Sequence, residues 1–312
     1  MGFDINTNID TLAVVKNGVM LIALLLVILF ILTWSGIMKC NSIPFWCDGY
    51  EFVMGSPRVL IVHNGEGLGD PNLLEQYLKD PRIVGAESVA IQDVDTLSLG
   101  NLKNYKLVIV EHARQLSYEQ LLMFMDYVNG GGRLVWVGDS GVVKGLDEVQ
   151  NISDINGLAQ LDNNPWVRVE KTGENMINFD EFLSLRYIDN YCNEKDCSEL
   201  PFSVGVLIPE PTRNHSLIFG VASQMNFKIN NERNFAVVKQ IPNTPNSNVV
   251  MSIDFGGNIT GKDNEIGRTV PFIVTSGLGE RVAYYAYPLE WLVQDNNSYT
   301  IIKNMYYGML GK

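Results

Sequence analysis

The chain has no low-complexity tract, no internal repeat and no excess of positive charge. Its 312 residues carry 23 Lys and Arg against 35 Asp and Glu, a formal net charge of −12. An acidic balance of this size argues against nucleic acid as a partner and against docking on an anionic membrane surface. Cysteine is sparse, with four residues. They do not form the C-x2-C pairs of a zinc knuckle. Charge is missing altogether from Asn17 to Met38, and Val19 to Leu32 is an almost unbroken run of Val, Leu, Ile, Met, Ala and Phe.

That run is the dominant feature. At ~1.5 Å per residue, a helix of about 20 residues crosses a hydrocarbon core of ~30 Å. A cleaved signal peptide has a shorter apolar core, followed by a small-x-small cleavage site. Trp34-Ser-Gly-Ile-Met-Lys39 offers no such match, so the segment is read as an uncleaved anchor with Trp34 in the interfacial belt. The expected organisation is a cytoplasmic tail over 1–16, a transmembrane helix over 17–38, a juxtamembrane linker over 39–57 and one large domain over 58–312. Lys16 and Lys39 flank the span and leave its orientation undecided on charge alone.

The cysteines give the better indication of sidedness. Cys40 with Cys47 and Cys192 with Cys197 make two close pairs at and beyond the end of the span. Two local disulfides are expected, and these persist in oxidising compartments. A single zinc site made of all four is the alternative. Sequons at Asn151, Asn214, Asn258 and Asn296 point the same way. The expectation is a single-pass protein of the cell membrane with its C-terminal domain extracytoplasmic.

Within the large domain, Arg58-Val-Leu-Ile-Val-His63, Ser88-Val-Ala-Ile91, Lys106-Leu-Val-Ile-Val-Glu111 and Arg133-Leu-Val-Trp-Val137 read as strands, the first, third and fourth as runs buried on both faces. Asp70-Pro71 reads as N-cap and N1 of a helix through Lys79. Ser117-Tyr-Glu-Gln120 is a capping box opening a helix that Gly130-Gly-Gly132 closes. Further on, Phe179 to Tyr191 reads as a helix. Strands are expected at 235–239, 249–253, 270–274 and 281–287, with a last helix from Asn297 to Leu310. The closing strand and helix are expected to return to the same sheet. Strand–helix alternation with buried strands means a parallel sheet with helices on both faces. A ligand site in such a sheet lies beyond the strands' carboxyl ends.

Several of these segments resemble the class I glutamine amidotransferase-like superfamily, in its ThuA-like branch. They are Val59-Leu-Ile-Val-His63, Leu107-Val-Ile-Val110, Leu116-Ser-Tyr-Glu-Gln-Leu121, Tyr127-Val-Asn-Gly-Gly-Gly-Arg-Leu-Val135 and Gly138-Asp-Ser-Gly141. His215-Ser-Leu-Ile-Phe-Gly220, Gly279-Glu-Arg-Val-Ala-Tyr284 and Asn304 extend the likeness toward the C-terminus. The resemblance implies a three-layer, flavodoxin-like α/β fold. Active members of that superfamily carry a cysteine on the sharp turn after a central strand, with His and Glu late in the chain. Here that turn reads Gly138-Asp-Ser-Gly141, and Glu290 has no histidine beside it, so glutamine hydrolysis is not expected. Non-catalytic relatives of the fold include oligosaccharyltransferase subunits and components of gliding and intraflagellar transport machines.

Polar residues nonetheless gather at the strand ends: His63 and Glu66 after the first, Glu111, His112 and Arg114 after the third, Asp139 and Ser140 after the fourth. As a hydrolase, the domain would use Ser140 as nucleophile with His112 or His63 as base, or a metal held by His63, His112 and Asp139. The serine turn is not G-x-S-x-G, because Val142 replaces the second glycine. Gly65, Gly67 and Gly69 faintly suggest a phosphate cradle, but a plain turn is the simpler reading. Tyr284, Tyr285 and Tyr287 are expected in the core, and His215 in a loop. The leading expectation is a non-enzymatic binding or scaffold subunit of a cell-envelope complex. Its partners would be the lipid bilayer and another protein, with a glycan as a further candidate, and no cofactor or metal is expected. An envelope hydrolase and a carbohydrate-binding module are the alternatives.

Overall fold

The computed structural model describes residues 11–34, 43, 46, 49, 53, 58–145, 148, 164–173, 175–198, 202–210, 215–229, 233–242, 244–262, 264–292 and 296–311. Cys40, Cys47, Asn151 and Asn214 fall outside them, as do residues 35–38 of the expected span. The chain forms two compact units, one holding the N-terminal helix and one covering Ser56–Leu310.

In the first unit, helix α1 runs over Thr11–Trp34. The side chains of Val19, Met20, Leu21, Ile22 and Leu24 are each at least 60% exposed, so the helix has no protein core of its own to enter. It is long and apolar enough to cross a membrane, a property that signal sequences share.

The second unit is built on a nine-stranded mixed sheet. Its strands are β1 (Val59–His63), β2 (Val89–Asp93), β3 (Leu107–Val110), β4 (Arg133–Val137), β6 (Phe202–Pro209), β7 (Met225–Ile229), β9 (Asn248–Thr260), β10 (Glu265–Ser276) and β11 (Val282–Tyr285). Two more, β5 (Leu185–Asn190) and β8 (Ala236–Gln240), pair with each other as a separate antiparallel ribbon. The sheet order is β7-β6-β9-β10-β11-β4-β3-β1-β2. Neighbours from β2 to β11 are parallel, and neighbours from β11 to β7 are antiparallel. The chain steps outward from β1 to β2, then returns across β1 to β3. The crevice beyond the carboxyl ends of β1 and β3 is therefore a topological switch point.

The parallel half forms where expected because its sequence offers one consistent solution. Val59 to Val62 and Leu107 to Val110 are fully buried, as continuous apolar strands must be. Helix α2 (Pro71–Lys79) starts on Asp70, whose carboxylate accepts from the Asn72 and Leu73 amides. Leu74 and Leu78 face the core. A single turn, α3 (Leu99–Leu102), precedes β3. Helix α4 (Tyr118–Asn129) has its capping box, with the Gln120 amide donating to Ser117 Oγ and the Ser117 amide to Gln120 Oε1. Of the closing glycines, Gly131 takes the left-handed conformation at φ 99°. Gly132 serves a different need: a Cβ there would lie 2.3 Å from the Tyr127 ring.

The second half departs from the expected all-parallel sheet. The predicted helix over 179–191 is only α5 (Phe179–Leu183), stopped by Ser184 in a left-handed turn. The residues after it form β5, and the one-turn helix α6 (Tyr191–Glu194) follows. Pairing with β8 overrides the helical pattern, and Leu185, Tyr187 and Asn190 turn inward. The strands expected at 249–253 and 270–274 are parts of the longer β9 and β10, 13 and 12 residues long. Strands β6 and β7 were not expected. The final helix, α7 (Asn296–Leu310), packs against α2, and β11 returns beside β4 as expected.

Candidate functional site

The loop after β1, residues 64–69, turns back beneath the strand ends and is fixed by the residues around it. Three amides in and just after it are taken: Glu66 N donates to Asn64 Oδ1 at 3.1 Å, Leu68 N to Asp139 Oδ1 at 2.8 Å, and Asp70 N to Glu290 Oε1 at 2.7 Å. Two of these acceptors are the protein's own carboxylates, and a phosphate would find these three donors occupied. Glycine at 67 is a matter of space as well as φ, since a Cβ there would meet Arg114 Cβ and Asp139 Oδ1 at 3.0 Å.

The turn after β4 holds its side chains inward. Asp139 is 2% exposed and also accepts from Asn190 Nδ2 at 3.0 Å, with Arg114 Nε 3.6 Å from its second oxygen. Ser140 is fully buried, and its hydroxyl donates to Val137 O at 2.7 Å. Its carbonyl accepts both the Trp136 and Trp166 indole N–H groups at 3.0 Å. The turn is anchored from outside by Arg168, itself fully buried. Its guanidinium donates to Gly141 O, to Val143 O at 3.2 Å and to Glu148 Oε2 at 3.0 Å. No sequence motif marked Arg168.

His112, two residues after β3, takes a left-handed conformation, φ 49°, uncommon for a residue with a side chain. Its amide donates to Leu68 O at 2.8 Å and its Nδ1 lies 2.7 Å from Gly67 O. A carbonyl only accepts, so Nδ1 carries a proton here. His63 and His112 line one cleft of about 490 Å³ together with Asp70, Asn72, Ile91 and Trp291. Trp291, in the short 3-10 turn Leu289–Trp291 after β11, could have been suspected from its place at a strand's carboxyl end.

The structure thus divides the sequence candidates. His63 and His112 share the cleft, and Glu66 is exposed on the loop. Glu111, Asp139 and Ser140 are buried supports, and Arg114 is half-exposed beside Asp139. Among the described residues no cluster of three or more His, Cys, Asp or Glu is arranged to hold a metal. Tyr284, Tyr285 and Tyr287 lie in the core. His215 pairs with Glu280 at 2.8 Å, at the opposite end of the sheet from the cleft. Cys192 and Cys197 are disulfide-bonded.

Behind the cleft lies a buried acid pair. Glu111 backs onto Gly69 and neither of its oxygens has a hydrogen-bond partner; Glu290 Oε2 also lacks one. Burial pushes Glu111 well above the usual carboxylate range, and Glu290 and Asp70 add to the shift. Burial likewise pushes Glu290 up to about 8, with Asp70 adding. Both are protonated supports at neutral pH.

No protein-family profile matches the chain, and no curated protein matches it in sequence. Among solved structures, a protein described as ThuA-like from Bacteroides uniformis superposes with TM-score 0.55 and 13% identity, covering 82% of this chain and 92% of its own. A second, from Parabacteroides merdae, gives 0.47 and 13%, covering 82% and 91%. A β-galactosidase from Rahnella sp. R3 gives 0.48 and 12% over 84% of this chain and 32% of its own. At such identities the likeness concerns the fold alone.

Proposed function

We propose that this chain is a single-pass membrane protein whose domain over 58–312 lies outside the cytoplasm. There it acts as a non-enzymatic binding or scaffold subunit of a cell-envelope complex. One observation carries the non-enzymatic reading. At the turn where the amidotransferase-like fold would present a nucleophile, Asp139 is spent on Leu68 and Asn190, and the Ser140 hydroxyl is fully buried and donates to a carbonyl. A nucleophile needs access and a base, and this turn provides neither.

Several further features support the reading. The outward-facing apolar surface of α1 suits a lipid environment, with the tail, span and linker divided at residues 16, 38 and 57. The Cys192–Cys197 bridge suits an oxidising compartment, and the Asn258 sequon is exposed on β9. The order β2-β1-β3-β4-β11 supports reading this part of the domain as flavodoxin-like, with three layers. Within this reading the cleft of His63, His112 and Trp291 is the binding site, and its mixture of imidazole, indole and carboxylate suits a small polar ligand, a glycan included.

The test is purification of the full-length protein from its native membrane in mild detergent, with mass spectrometry of what co-elutes. A stoichiometric partner that persists in the Ser140→Ala variant is expected. A bare monomer or homodimer, or an envelope hydrolase activity that Ser140→Ala or His112→Ala abolishes, would overturn the proposal.

A further inference from the structure

The edge of the sheet opposite the cleft carries an unbalanced charge. In a chain of net charge −12, four adjacent parallel strands begin on or just after a cation: Arg58 before β1, Lys106 before β3, Arg133 opening β4 and Arg281 before β11. The register sets them as two neighbouring pairs: Val59 faces Leu107, which puts Arg58 beside Lys106, and Val282 faces Leu134, which puts Arg281 beside Arg133, while Leu107 faces Arg133, so the second pair lies one residue further along its strands. At ~4.8 Å between strands, the row spans about 14 Å. Arg58 and Lys106 are exposed, and Arg133 and Arg281 are partly so. Among the described residues none of the four forms an ion pair. Burial and the neighbouring Arg281 both pull the Arg133 pKa down, so these two guanidiniums feel each other. Of the carboxylates along this edge, Glu280 is held by His215, Asn248 and Thr275, and Asp80 is paired with Arg82.

The same edge bears two large apolar side chains that fold packing leaves outside. Leu278, in the β10–β11 turn, is 80% exposed, and Phe219, in the loop between β6 and β7, is 68% exposed. Their loops are braced together. His215 Nδ1 accepts from the Leu217 amide at 3.1 Å, so Nε2 carries the proton and donates to Glu280 Oε2 at 2.8 Å. Asn304 Nδ2 donates to Phe219 O at 2.7 Å. Arg58, where the chain enters the domain after the segment 35–57, lies on this edge too.

The geometry points to this edge, with its row of Arg58, Lys106, Arg133 and Arg281 and its apolar tips Leu278 and Phe219, as a docking surface for an anionic lipid bilayer. The combination of cations with protruding apolar side chains is what interfacial binding uses. The net charge of the chain opposes such docking, but screening confines that repulsion to about a Debye length, and an anchored domain needs only a local attraction. The inference rests on the membrane reading of α1.

The test uses full-length protein reconstituted into vesicles, with an environment-sensitive dye on Leu278→Cys, labelled without reductant. Flotation reports first whether the protein stays with the vesicles after high-salt and carbonate washes. On vesicles of phosphatidylcholine mixed with phosphatidylglycerol, the dye emission is expected to shift blue and at least double over its value on phosphatidylcholine alone. Arg58→Glu combined with Lys106→Glu, or about 0.5 M NaCl, should remove the difference. A floating protein whose dye reads the same on both lipids overturns the docking surface while leaving the anchor intact. A protein that does not float overturns the anchor and this inference with it.

Discussion

Glu111 shows how far a single residue can depart from its surface chemistry. Its carboxyl is buried without a partner and is kept protonated by desolvation, with Glu290 and Asp70 adding. In the unfolded chain it ionises near the ordinary carboxylate value, so unfolding above that pH releases a proton. The pair's contribution is therefore fully present at low pH and is lost as pH rises from about 4.5 through about 8, the value to which Glu290 is raised. Glu111→Gln should raise stability at pH 8 by about 1–3 kcal/mol and leave it nearly unchanged at pH 4.5, read from urea unfolding at both. A variant destabilised equally at both would show that the carboxyl is ionised in the fold. Ser140→Ala should cost about 1 kcal/mol, the worth of one buried hydrogen bond, without changing the protein's associations. At this scale the sequence located His63 and His112 at a common end, because both fall at the ends of recognisable strands. It could not bring in Asn190 or Arg168, which come from later segments whose contacts with the turn no local pattern encodes.

Secondary-structure elements were legible where local signals agreed with one another. Asp70-Pro71 and Ser117-Tyr-Glu-Gln120 each start a helix where they should because the cap and the apolar face coincide. Ser117→Ala should lose about 1 kcal/mol and lower Tm by about 2–4 °C in a domain of this size, which thermal unfolding will read; an unchanged Tm would mean the box is idle. Where signals conflicted, the reading failed. Leu185 to Asn190 carries helix-compatible spacing, but Ser184 turns left-handed and β8 supplies a partner, so tertiary pairing decided its state. Strand β6 hides behind Gly205 and a terminal Pro209. The β7 segment Met225-Asn-Phe-Lys-Ile229 alternates cleanly but is only five residues long.

For the molecule as a whole, the parallel half was foreseeable and the antiparallel half was not, since a parallel sheet flanked by helices demands continuous apolar strands while an edge hairpin tolerates almost any alternation. The two halves are joined by buried polar groups. Arg168, from the chain beyond the parallel half, reaches back to the turn after β4 and to Glu148. Arg168→Met should cost about 3–5 kcal/mol because it strands a buried carboxylate, and adding Glu148→Leu should recover most of it; a double variant as weak as the single would locate the loss in the carbonyl contacts instead. The disulfide has a reach of its own. Glu194, inside the loop that Cys192 and Cys197 close, accepts from Asn264 N at 3.3 Å and from Asn264 Nδ2 at 2.6 Å, at the tip of the β9–β10 hairpin. Reducing that bridge loosens a clasp on a tip far along the chain. Limited trypsinolysis should register this as a switch in the first bond cut, with cleavage after the exposed Lys262 slow in the oxidised protein and fast in the reduced one.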